Sequence, residues 1–199
     1  AGDLPTKYHD LIHLISPRSA YTGAAELQLA RYTDVFLEDQ YEGGGSGTVF
    51  EYELIYQLMS TDNGSPEGVK VPAPDSVVGA PIRALGADKE AYRWNFLIKN
   101  NEERDDYRRI IALCQAMSLS GAAFQAAIPA VIDVDQWLRG SAFNVLTGVG
   151  DSYGGDGSQH NAQFYARPAD GRVLYLPHDL DAFFDAHRPI VPNDDVRRM

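Results

Sequence analysis

The segment NAQFYARPADGRVLYLP, residues 161–177, constrains the fold more than any other stretch of the chain. Residues 162–166 and 172–176 each have the composition of a short strand, and Pro168-Ala169-Asp170-Gly171 stands between them. Asp-Gly is a strong signal for a tight reversal, because such turns need left-handed backbone that this pair accepts readily. A β-hairpin is therefore predicted. Asn161 opens its first strand, and its second strand delivers Pro177-His178-Asp179-Leu180-Asp181 at the far end.

Upstream, the periodicity of the first forty residues predicts interrupted helix, over 8–14 and again over 24–37, with Ser16-Pro17 as the break. After the glycine-rich turn at 42–47, residues 48–57 alternate as a strand. Phe50, Tyr52, Leu54 and Tyr56 fall on one face, and Val49, Glu51, Glu53 and Ile55 on the other. Residues 60–88 are rich in Gly, Pro, Asp and Ser and read as a long loop, a length that is usually functional or a family-specific insertion. Residues 92–98 fit a strand, with helix as the competing reading. A helix over about 105–118 carries Tyr107, Ile110, Cys114 and Met117 at one-face spacing. Another starts at Asp133, with Gln136 placed to complete a capping box and Val134, Leu138, Ala142 and Val145 as its expected buried stripe. Gly148-Val149-Gly150 ends it, and a polar loop follows over 151–160. Helices and strands fall in separate stretches, so the expected class is α+β.

Composition narrows the function. The net charge of −11 comes without a basic cluster beyond pairs such as Arg108-Arg109, which argues against a nucleic-acid partner. No apolar run reaches the roughly 18 residues of a membrane span. Cys114 is the only cysteine, so no disulfide forms within the chain, and its apolar helical position predicts a buried core residue. At 199 residues the chain has room for one domain or most of a larger one, and both ends read as cut.

The chemistry concentrates in the last fifty residues. The loop GVGDSYGGDGSQHN sets Asp151 and Asp156 between a helix end and a strand that opens with Asn161. The hairpin then presents Asp179 and Asp181. Helix, acidic loop, Asn, hairpin and Asp is the order in which a kinase-type site offers a catalytic aspartate, an amide ligand and a carboxylate ligand. Mg²⁺ prefers oxygen donors, so an amide and a carboxylate suit it, while a second carboxylate must stay off the metal to take the acceptor's proton. Asp156 and Asn161 also keep the five-residue offset of the H-R-D-x-x-x-x-N loop.

The string HNAQFYARPADGRVLYLPHDLDAFF resembles the hallmark of the CotH (spore-coat protein H) kinase-like family. IDVDQWLRGSAFNVLTGVGDSY is similar to the family's helix and its Asp-x-Tyr loop. ARYTDVFLEDQYEGGGSGTVFEYELIY and DKEAYRWNFLIKNNEERDDY are looser matches, and together the likeness covers most of residues 20–185. It implies an atypical protein-kinase-like fold, truncated at both ends. Residues 1 to about 100 would form part of the N-terminal lobe and linker, and about 101–199 the C-terminal lobe. It implies Mg²⁺ or Mn²⁺ with ATP as cofactor, and transfer of the γ-phosphate to Ser or Thr of a surface, coat or secreted protein. Localisation would then be extracellular or at the cell surface.

By the same resemblance Asp151 takes the catalytic place, with Asp156 as the alternative. Asn161 and Asp179 take the metal places, and Asp181 assists. His178 stands where the family has Trp, GGDGS lengthens the interval from Asp151 to Asn161, and the family's Arg-rich loop and phosphate-holding lysine find no counterpart in this chain. Blander readings stand beside these. The Asp151–Asp156 loop fits a calcium site or a plain solvated loop, which would make the chain a non-catalytic surface adhesin or assembly module. His160 fits packing at the strand entry, Lys70 and Lys99 fit surface lysines, and Glu51 and Glu53 fit a solvated face.

Overall fold

The computed structural model describes residues 9–19, 22–29, 31–52, 55–56, 61, 63, 65, 68, 77–78, 82–149, 153 and 161–179. Its centre is a four-stranded antiparallel sheet of β3 (Thr48–Tyr52), β6 (Phe96–Ile98), β7 (Ala162–Ala166) and β8 (Val173–Pro177), in the order β6-β3-β7-β8. β7 and β8 are the predicted hairpin, paired from Ala166↔Val173 to Ala162↔Pro177. The class is α+β, as expected.

Each face of the sheet buries its own cluster. Phe50, Tyr52, Phe96, Phe164 and Tyr175 face α3 (Arg108–Met117), α4 (Gly121–Val131) and α5 (Val134–Thr147), meeting Tyr107, Ile110 and Trp137. Cys114 lies in this cluster, and burial pushes its thiol up to about 12, so it is an inert core residue. On the other face Val49, Tyr165, Leu174 and Leu176 pack against Tyr32 and against Phe36 and Leu37 of α1 (Asp34–Gln40).

Several expectations fail, each for a physical reason. The helix expected over 8–14 is instead the strand β1 (His9–Leu14). It pairs antiparallel with β2 (Gly23–Leu29), where the second helix was expected to begin, so only α1 survives of that helix. Apolar runs this short do not by their periodicity separate strand from helix. The strand expected over 48–57 is β3 followed by β4 (Ile55–Tyr56), which pairs with β5 (Val77–Val78). The long loop therefore contributes a strand. Residues 92–98 divide between the two readings, as helical turn α2 (Glu90–Arg93) and then β6. Helix α3 starts at Arg108, three residues late, because Asp105 adopts left-handed backbone at φ 46°. Helix α4 was not anticipated: it has little one-sided apolar stripe, and Pro129 lies inside it.

The largest correction concerns α5. Asp133 caps it as predicted, accepting from the Gln136 N–H at 3.3 Å, but the Gln136 side chain does not reach back. Its Nε2 donates to the Tyr175 carbonyl, and its Oε1 accepts from the Tyr175 N–H at 2.9 Å. Trp137 Nε1 donates to the Val173 carbonyl at 2.8 Å. β8 is the end strand of its sheet, and these side chains close its open edge as a further strand would. The buried face of α5 is consequently Gln136, Trp137, Gly140 and Asn144, while Val134 and Leu138 of the expected stripe are exposed. Gly140 is needed for close approach, since a Cβ there would lie 2.5 Å from the Tyr175 ring.

Gln136→Leu keeps the bulk of the side chain but leaves the Tyr175 N–H and carbonyl unpaired in the interior. Each orphaned group costs about 1–3 kcal/mol, so the expected loss is roughly 2–6 kcal/mol in urea unfolding. A loss under about 1 kcal/mol would mean that this edge is satisfied by water and not by Gln136.

Candidate active site

β7 and β8 finish together at Ala162↔Pro177. Asn161 stands immediately before that pair and Asp179 two residues after it, so an amide and a carboxylate leave the same end of one hairpin. Both residues adopt left-handed backbone, with φ of 54° and 50°. Asn and Asp enter that region more readily than other residues carrying a Cβ, and it turns the chain sharply where the strands end. Asn161 is buried and Asp179 exposed.

One pair in from this end, Glu51 lies opposite Gln163. Its carboxylate receives Lys99 Nζ at 3.1 Å and Gln163 Nε2 at 3.4 Å, with His178 Nε2 at 3.8 Å. The Glu51 side chain is only 17% exposed, so the solvated face expected for it gives way to a sheltered polar cluster. Lys99, expected as an ordinary surface lysine, is half-exposed but paired. One sequence signal for this cluster is an acid within a strand together with a lysine just past another strand. The partners themselves are joined only by sheet pairing.

Asp151, Asp156 and Asp181 lie outside the described residues, as do His160 and Lys70. Val149 and Tyr153, each two residues from Asp151, are described. Gly148 closes α5 at φ 63°, and Val149 is buried directly after it. Two residues beyond Asp151, the Tyr153 ring sits among Tyr52, Trp137, Phe164 and Tyr175, with centroids 5.9–6.1 Å away. Such ring pairs contribute about 0.5–1.5 kcal/mol beyond their burial. Val149 and Tyr153 are thus both packed into the interior. Burial holds the Tyr153 and Tyr52 phenols well above their ordinary range, so both are neutral ring anchors. Among the described residues the Tyr52 hydroxyl has no hydrogen-bond partner. Tyr153 is the Tyr of the Asp-x-Tyr string, and its place in the aromatic cluster is what the sequence alone did not give.

Among the described residues no group of three or more His, Cys, Asp or Glu gathers as a metal site. What the hairpin end offers is one amide and one carboxylate, a hard-oxygen pair that leaves positions for water and phosphate. No helix among the described residues is long and apolar enough to cross a membrane.

No curated protein matches the chain. A family model described as CotH kinase protein matches residues 24–196, a stretch that takes in the sheet, α5, the Asp151 loop and the hairpin. With most of its length inside that match, the chain belongs to the CotH kinase family.

Proposed function

We propose that this protein is a metal- and ATP-dependent kinase-like transferase, moving the γ-phosphoryl group onto a Ser or Thr hydroxyl of a surface, coat or secreted protein. The observation that carries the reading is the shared hairpin end of Asn161 and Asp179, with Val149 and Tyr153, two residues to either side of Asp151 in sequence, packed in the interior. Asn161 and Asp179, with Asp181 next along, would hold Mg²⁺ or Mn²⁺. Their oxygen donors fit such an ion. When bound, the ion would neutralise charge on the nucleotide's phosphates.

Asp151 orients the acceptor hydroxyl and takes its proton as the new O–P bond forms and the β–γ bridge bond breaks, releasing ADP. Asp156 is the alternative base. Buried Val149 and ring-packed Tyr153, two residues to either side of Asp151 in sequence, are the rigid supports that such a base requires.

The test is thermal unfolding with ATP and Mg²⁺ or Mn²⁺, set against Ca²⁺ alone, together with a phosphate-transfer assay. A ligand at 100 times its Kd stabilises by about 2.7 kcal/mol, or roughly 5–10 °C at this size. The expected result is a rise with metal–ATP. A rise with Ca²⁺ alone and none with metal–ATP would mark a calcium-binding, non-catalytic module and defeat the proposal.

A further inference from the structure

We propose a second ligand site, an oxyanion cleft at the turn end of the β7–β8 hairpin, opposite the Asn161–Asp179 end, whose ligand is a phosphate group held by Arg109. A cavity of about 130 Å³ opens there, lined by Arg104, Arg109 and Arg167, with Asp106, Pro168 and Gly171 among its other walls. At ~30 Å³ per water it has room for about four waters, enough for a tetrahedral oxyanion.

The local charge is not balanced. Arg108 grips Asp106 at 2.8 and 2.6 Å. Arg167 is shared between Asp170 and Asp133, and Arg172 lies 3.8 Å from Asp170. Arg104 lies 3.7 Å from Glu103 and donates to the Ser46 carbonyl. Five guanidiniums thus meet four carboxylates, in a chain whose net charge is −11. The excess falls on Arg109, which makes no ion pair or hydrogen bond among the described residues.

Backbone, not a carboxylate, defines where that guanidinium sits. A Cβ on Gly171 would lie 2.2 Å from Arg109 Cζ and 2.3 Å from one Nη, so the group rests directly on the glycine. Gly171 also has φ +71°, which disfavours a side chain there independently.

Helix α3 adds a second argument. Arg108 and Arg109 occupy its first turn, where the peptide dipoles disfavour cations and favour anions. Asp106 grips Arg108 directly and reaches Arg109 only through space. An anion in the cleft meets the positive helix end together with Arg109, which no carboxylate grips directly. The three guanidiniums come from separate elements: the 3₁₀ turn Glu102–Arg104, helix α3 and the hairpin turn. Forks arriving from several sides match the several oxygens of a phosphate better than a planar carboxylate, which one fork satisfies.

The experiment is calorimetric titration of the intact protein at fixed ionic strength. One arm uses inorganic phosphate and the other a phosphoserine peptide, because both carry the group. Saturable binding is expected in at least one arm, weakened roughly tenfold or more by Arg109→Gln, the scale of a lost charge-assisted bond. Arg104→Gln, on a different element, should weaken it as well. Arg139→Gln removes an exposed charge paired with Asp135 on α5 and should leave it unchanged. Circular dichroism checks that each variant is folded. The absence of binding in both arms overturns the site, as does an Arg109→Gln variant that binds like the unaltered protein. Neither readout involves ATP or phosphoryl transfer, so this site stands or falls separately from the proposed activity.

Discussion

Asp179→Ala is expected to abolish metal-dependent nucleotide binding while the fold stays intact. Asp179 lies past the last pair of the hairpin, is exposed, and makes no hydrogen bond or ion pair among the described residues. Removing its carboxylate therefore takes away nothing the sheet rests on. Its one structural debt is the left-handed backbone at φ 50°, where alanine costs roughly 1–2 kcal/mol. Asp179→Asn, which tolerates that backbone, separates the two effects: it keeps the turn and loses the charge. Calorimetry with Mn²⁺-ATP should show binding lost in the alanine variant and much weakened in the asparagine one. Unchanged affinity in both would remove Asp179 from the metal site.

Asp151→Asn is expected to leave metal–ATP binding in place and to lower turnover by roughly a hundredfold or more, the usual scale for a lost general base. Asp156→Asn should cost much less. The ranking rests on placement. Asp151 lies two residues in sequence from buried Val149 and two from the ring-caged Tyr153. Asp156 is flanked by Gly154, Gly155 and Gly157, and such a stretch does not hold a side chain to a fraction of an ångström. Phosphate transfer by the two variants, measured side by side, decides it. The reverse ranking would show that the five-residue offset to Asn161 was the better guide and that Asp156 is the base.

The candidate site was legible in part. The hairpin and its Asp170-Gly171 turn could be read because turn chemistry acts within a few residues, and Asn161 and Asp179 came with it as neighbours of the strand ends. The Glu51, Lys99, Gln163 and His178 cluster could not, because its members are brought together by β3 pairing with β6 on one side and β7 on the other. Nothing in the sequence near Glu51 says which strand will lie beside it.

By itself the sequence determined the α+β class, the hairpin, the Asp133 cap, the Gly148 end of α5 and the buried Cys114, all features set by short-range backbone preference or by simple polarity. Tertiary structure alone decided that 9–14 and 23–29 pair as strands, since periodicity in apolar runs this short does not separate strand from helix. It also decided which face of α5 is inside. The apolar stripe of Val134 and Leu138 turned outward because Gln136 and Trp137 are spent on β8, 39 and 36 residues away. An unpaired strand edge in the interior costs more than two exposed aliphatic side chains on a helix surface, and that balance exists only once the edge and the helix have met.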